Sequence, residues 1–473
     1  MNENLTALLP ELALLGAAVL GLLTGCWLPR RRQWIVAVLA AVACAAGLTA
    51  TAVTLATGRE QTVFSGAFAV DTATGVGRLA VLTALPLVIG MSVETVRNHP
   101  RETEYWVLLL LSGAGTLALT GADDLLMLFA AHLLASLPAY ALAAFAKDAR
   151  GTEAALKYYL MGALLGTVML GGTALLYGAG HTTHYRALAT ALPLAPYGLV
   201  AVGLIGVLAG LLFKAGAVPA HFWVPDVTEG APVPVAAYVT TLPKIGGLIA
   251  GYRLLHQALP GSGVNWPLLL AVVAALTMSL GNLAAFFQTS VTRLLAYSTI
   301  SQVGYLLMAL AVATRSDLAQ KGLLFYLLAY AVTNLGAFAV VAGLPRARAL
   351  TDYRGLAARR PGLAAVLVVC LLGLVGTPPT GVFLGKLEIF SAAVDGGFTW
   401  LAVLAVANTV ASLFYYLRWL GPLFATAGAA PAAAHAVRGR TAAATACTAA
   451  ALSLALGIGG SAVLTLAGGP LLP

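Results

Sequence analysis

Fourteen apolar runs, most close to the ~20 residues that a membrane-crossing helix requires, divide this chain and leave little between them. They cover approximately 6–27, 33–57, 73–94, 104–121, 124–146, 155–178, 194–223, 233–257, 266–288, 293–313, 321–344, 362–394, 399–421 and 441–468. Runs of this kind persist in lipid only as helices, because each must satisfy its own backbone hydrogen bonds there. The expected fold is therefore all-α and integral to a membrane, with about fourteen transmembrane helices. At 9% charged over 473 residues, the chain lies far below the ~25% charged residues of soluble domains. Residues 1–473 accordingly read as a single polytopic membrane domain. The polar-accented loops near 58–72, 181–192 and 422–440 leave no room for a soluble catalytic domain. The opening MNENLTALLPELALLG has no basic lead and no small-residue cleavage site, so the first run reads as a retained helix.

The net charge of +9 does not point to nucleic acid, because the basic residues sit in short loops and form no continuous patch. They report topology instead. Loops after odd-numbered runs hold fourteen lysines and arginines, among them Arg30, Arg31, Arg32, Arg97, Arg101, Arg359, Arg360, Arg438 and Arg440; loops after even-numbered runs hold only Arg59, Arg186, Arg315 and Lys321. Cytoplasmic loops carry such an excess, which places the odd loops in the cytoplasm and both termini outside. Cys26, Cys44, Cys370 and Cys447 show no CxxC or metal-type spacing, so no iron-sulfur cluster is expected.

Eight basic residues fall within the runs or at their ends. Lys157, Arg253, Arg293 and Arg418 lie near predicted ends, where snorkelling to the interface is the simpler reading; Arg78, one turn inside its run, is open. Lys214, Lys244 and Lys386 lie deeper, where a charge costs at least about 2.5 kcal/mol. Two of these adjoin helix interruptions. Lys214 precedes AGAVP, with His221 just past Pro219, and Lys386 follows GTPPTGVFLG. Proline removes a donor and clashes with the preceding turn, and broken helices at matching places in two halves of a chain are the mark of an inverted-repeat transporter. Helices seven and twelve are five spans apart, which fits two inverted five-helix repeats, helices 4–8 and 9–13. Lysine, unlike arginine, can release its proton when withdrawn from water, so three lysines along the midplane suggest a proton pathway. Pairing with carboxylates to hold helices together is the plainer alternative. His221 could relay protons or simply bond the carbonyls that the break frees. His256 reads as interfacial, His99, His181, His184 and His435 fall in loops, and together they make no metal set.

The segments GLLFKAGAVPAHFWVPDVTEGAPVPVAAYVTTLPKIGG, TRLLAYSTISQVGYLLMAL and GTPPTGVFLGKLEIFSAAV resemble the antiporter-like, proton-translocating membrane subunits of respiratory complex I. With DVTEGAPVPV and EAALKYYLMGALLGT added, the chain is most similar to the subunit N family of bacterial NADH-quinone oxidoreductase. The resemblance runs from about Glu104 to Val394, within a core antiporter-like region of about 104–421. It implies a subunit of an enzyme that couples electron transfer from NADH to quinone to proton translocation, with the family's lysines of helices seven, eight and twelve falling on Lys214, Lys244 and Lys386. It also implies that this chain binds no cofactor and has no redox centre. NADH, quinone, FMN and iron-sulfur clusters would belong to other subunits, and its partners would be neighbouring antiporter-like and small membrane subunits together with the lipid bilayer.

One departure stands out. Where the family has a helix-five glutamate that pairs with the helix-seven lysine, an ungapped match of DDLLMLFAAHLLASLPAY puts Leu133, with His132 one place before it and expected to face another way. Gln302 replaces a histidine common in the family. These changes imply impaired pumping. Related cation/proton antiporters and membrane-bound hydrogenases share the lysine motifs, so a subunit of one of those, or a structural non-pumping paralogue, is the alternative.

Overall fold

The computed structural model describes residues 4–426 and 439–472; the sequence features at His435 and Arg438, and most of the 422–440 loop, lie outside them. The chain opens with α1 (Leu9–Trp27) and α2 (Trp34–Thr57), followed by a hairpin of β1 (Gln61–Val63) and β2 (Phe68–Val70) that the all-helical expectation did not include. Next come α3 (Thr72–Val96), α4 (Glu102–Thr120), α5 (Leu125–Ala143), α6 (Ala149–Gly180), the short α7 (Tyr185–Ala191), α8 (Tyr197–Ala215), α9 (Trp223–Gly230) and α10 (Val233–Gln257). The second half holds α11 (Trp266–Ala285), α12 (Val291–Ala311), α13 (Leu318–Gly343), α14 (Leu356–Arg359), α15 (Pro361–Val375), α16 (Gly381–Asp395), α17 (Thr399–Phe424), α18 (Thr441–Ile458) and α19 (Gly460–Ala467).

Among the described residues, twelve helices are long and apolar enough to cross a membrane. The fourth expected run is α4, which carries Glu102 and Glu104 in its first turn and falls outside that group. The twelfth is two fifteen-residue helices, α15 and α16, separated by Gly376–Thr380. α10, α12 and α13 form the interior; the spanning part of α13 is wholly enclosed. α6, α11, α17 and α18 turn much of their surface outward as leucine, valine and alanine, the composition of a lipid-facing layer.

The two breaks are built alike. α8 ends at Gly216 (φ +77°), whose amide donates to the Leu212 and Phe213 carbonyls while that of Ala217 donates to Leu212. α15 ends at Gly376 (φ +91°), whose amide donates to Leu372 and Gly373 while that of Thr377 donates to Leu372. Glycine suits both because the left-handed conformation that closes a helix C-terminus disfavours a Cβ. Three residues after each glycine stands a cis proline, Pro219 and Pro379. The freed Val218 amide is satisfied from α11, by Thr277 Oγ1 at 3.2 Å, as backbone in an apolar interior requires.

Other details recur at a constant interval. Asp124 caps α5 and pairs with His184; Ser290, 166 positions on, caps α12 and pairs with Ala349. Gly115 lets α4 approach α5 so closely that a Cβ would lie 2.2 Å from the Ala135 nitrogen, and Gly281 does the same for α11 against Ser301 at 2.5 Å, again 166 positions later.

Candidate functional site

All three deep lysines are buried: Lys214 and Lys244 are 1% exposed and Lys386 3%. Lys214 occupies the last turn of α8 and its Nζ donates to Ser136 Oγ on α5. Ser136 Oγ donates in turn to the His132 carbonyl, 2.6 Å away. The lysine stem lies on Gly247 of α10, where a Cβ would come within 3.1 Å of Lys214 Cγ. His132 is 1% exposed, neither ring nitrogen has a hydrogen-bond partner among the described residues, and its ring is within electrostatic range of Lys214.

This corrects the expectation that His132 faces away from the lysine. Residues three and four apart share a helix face, so the turn that brings Ser136 to Lys214 brings His132 with it, buried on one side, and half-buried Leu133 on the other. The lysine thus meets a face of α5 that carries a hydroxyl and an imidazole. Its position was legible in the sequence; the face it meets was set by how α5 is rotated against α8.

Lys244 lies one turn before Gly247 on α10. Its Nζ has no hydrogen-bond partner among the described residues and sits 5.5 Å from the centre of the Tyr330 ring on α13, an attractive cation–π placement. The Tyr330 hydroxyl shares a 2.9 Å hydrogen bond with Thr299 of α12, and Asn334 reaches back from α13 to Thr241 at 2.8 Å.

Lys386 on α16 folds back over the break. Its Nζ donates to the Val375 carbonyl at 2.8 Å and lies 3.4 Å from that of Leu374, beneath the Tyr305 ring at 4.3 Å. These carbonyls end α15, the negative pole of the helix dipole, where a cation is stabilised. Gln302 donates to the same Leu374 carbonyl at 2.8 Å and accepts from the Tyr326 hydroxyl. The glutamine that departs from the family pattern is therefore fixed beside Lys386. Farther along, Asn282 bonds Asn408 at 2.8 Å and accepts from Ser301 and Tyr415. His221 packs on Phe222 at 4.4 Å, and its Nδ1 has no hydrogen-bond partner among the described residues.

Buried ion pairs flank this axis. Arg253 was expected to snorkel from the end of its helix; it is instead fully buried and grips both Asp71 oxygens at 2.8 Å. Although burial opposes a charge on Asp71, the guanidinium holds its carboxyl below the usual range. Arg78 grips both Glu11 oxygens at 2.8 Å. Bidentate pairs of this kind make burial of an arginine tolerable. Reading the basic residues alone missed them; the carboxylates Glu11 and Asp71, lodged at apolar runs, were the signal. In the loop before α5, burial pushes the Asp123 carboxyl up to about 7, against the pull of Arg253 and with Asp71 and Asp124 adding to the rise.

Two broken helices, each with a buried lysine at its break, set in a bundle interior that holds hydroxyls and amides, define a membrane protein of the antiporter-like class. The family described as NADH:quinone oxidoreductase/Mrp antiporter, TM, matches residues 122–412. A Streptomyces griseus protein named NADH-quinone oxidoreductase subunit N 1 is 56% identical over 468 residues, 99% of this chain and 98% of that one. A chain of respiratory complex I from Thermus thermophilus superposes with a TM-score of 0.83 at 32% identity, over 98% of this chain and 100% of that one. A chain of the Mrp complex from Dietzia gives 0.85 at 25% identity, over 98% and 96%. The chain belongs to the subunit N family of NADH-quinone oxidoreductase.

Proposed function

We propose that this chain is a proton-translocating membrane subunit of a NADH-quinone oxidoreductase, in which electron transfer from NADH to quinone drives protons along the axis of Lys214, Lys244 and Lys386. The observation that carries the reading is the placing of two of these amines at two breaks built alike, with hydroxyls, amides and aromatic rings between them. Lysines withdrawn from water exchange protons readily, and each here has a polar neighbour able to orient a proton: Ser136 for Lys214, Tyr330 for Lys244, and the α15 carbonyls with Gln302 for Lys386. No carboxylate pairs with Lys214 among the described residues, so its charged form leans on Ser136, with the buried neutral ring of His132 on the same face of α5. A site without a counter-charge holds its proton briefly, which makes translocation through Lys214 weak. His221, just past the Pro219 break, serves as a proton relay toward Lys214.

On the same reading the chain is one polytopic domain of fourteen spans, with α4 and the α15–α16 pair completing the count. Helices 4–8 (α4 to α10) and 9–13 (α11 to α17) are inverted repeats, supported by the recurring caps, glycine contacts and breaks. The arginine-rich loops face the cytoplasm and both termini the outside of a bacterial plasma membrane. Neighbouring antiporter-like and small membrane subunits are its partners. FMN, iron-sulfur clusters and the NADH and quinone sites belong to other subunits, and this chain holds no redox centre.

The test is the proton-to-electron ratio of the assembled complex in vesicles. Lys386→Met and Lys244→Met should lower it with NADH oxidation retained; His132→Ala should lower it further than Leu133→Ala, and Leu133→Glu should raise it. Unchanged ratios in both lysine variants would leave the amines structural and overturn the reading.

A further inference from the structure

The face of the molecule that carries the arginine excess holds a cavity unconnected with the lysine axis. It lies between the first turns of α15 and α18, has a volume of about 690 Å³, and is lined by Arg359, Arg360 and Arg440 together with Leu363, Ala443 and Cys447. The arginines precede the two helices and the apolar side chains belong to their first two turns, so charge gives way to hydrocarbon over the depth at which the helices enter the membrane. Leu363 is buried in the wall, whereas Cys447 is exposed to the groove. The nearby Glu94 is already engaged, accepting from the Thr441 amide at 2.7 Å, and the guanidiniums of Arg360 and Arg440 outweigh it.

Guanidinium forks match phosphate oxygens in pairs, and basic pockets between helices on the cytoplasmic side suit anionic lipid headgroups. A free anion would use only the arginine mouth; an amphiphile uses both the mouth and the apolar wall. We propose that this cavity binds an anionic phospholipid, its phosphate held by Arg360 and Arg440 at a mouth that Arg359 also lines, and the start of one acyl chain lying along Leu363, Ala443 and Cys447.

Cys447 supplies the readout. The intact complex is reconstituted in phosphatidylcholine vesicles with or without phosphatidylglycerol, exposed to a membrane-permeant maleimide, and the peptide bearing Cys447 is followed by mass spectrometry. Phosphatidylglycerol should slow alkylation about threefold or more, the protection given by a ligand a few times above its dissociation constant. Arg359→Gln/Arg360→Gln/Arg440→Gln should abolish that difference, and the corresponding lysine variant should keep part of it. Three results would overturn the proposal. Equal rates in the two lipids would show no anionic preference, and equal protection by inorganic phosphate in phosphatidylcholine would show a free-anion site. A thiol unreactive in both lipids and in the glutamine variant would show a protein segment covering the cavity. If the triple variant does not assemble, the lipid comparison on the native complex decides alone.

Discussion

Ser136→Ala is the sharpest test of how Lys214 works. The hydroxyl is buried, 1% exposed, and is the hydrogen-bond partner of the Lys214 amine. Hydrogen bonds to charged groups contribute about 1.5–3 kcal/mol, and interhelical hydrogen bonds measured in a membrane protein reach about 1.7 kcal/mol. The two ranges overlap near 1.5 kcal/mol, about a tenfold change in an equilibrium. Removing the oxygen should therefore cut the population of charged Lys214 about tenfold, and with it the rate of any proton transfer that passes through that state. Proton uptake by vesicles containing the assembled complex, normalised to NADH oxidised, measures this, with Ser136→Thr as the control that keeps a hydroxyl. A fall in the alanine variant with substantial retention in the threonine variant is expected. Native uptake in Ser136→Ala would refute the role of this hydrogen bond, and an equal fall in both variants would show that packing at α5 is what matters.

Arg253→Leu leaves Asp71 buried without its counter-charge and should destabilise the subunit by about 3–5 kcal/mol, while Asp71→Asn/Arg253→Leu should recover much of the loss; thermal denaturation of the purified complex separates the two. Asp123 gives a pH dependence of known sign. Its carboxyl is pushed up to about 7 in the fold, from an ordinary 3.8, so between those values the fold keeps a proton that the unfolded chain has released, and this contribution to stability, full below about 3.8, is lost progressively as pH rises to about 7. Asp123→Asn should then raise the melting temperature most at pH 8 and clearly less at pH 5; an equal shift at both would mean the carboxyl does not titrate there. For orientation, Ser65→Cys in the β1–β2 turn should react with an impermeant maleimide from outside intact cells and Ala358→Cys only after permeabilisation, and labelling of both from one side would contradict the opposed loops.

Much of this protein was written in its residue order, because lipid allows so few solutions. A run of apolar residues must be a helix there, so twelve of the runs appear as membrane-length helices and a thirteenth as two halves parted where Pro378 and Pro379 interrupt it. The deep lysines were equally legible, since an amine amid leucine and valine has to be enclosed by protein. What sequence could not supply was rotation and reach. The helical period says that His132 and Leu133 point about 100° apart, but only the packing of α5 against α8 and α10 decides which of them Lys214 meets. Arg253 looked like an end-of-helix residue by position; it is buried because Asp71, 182 residues away in sequence, sits at the start of α3 and is carried to it by the fold. Local physics fixes where a helix forms and what it must hide. Which hidden groups meet depends on contacts between helices far apart in the chain, and that only the tertiary structure decides.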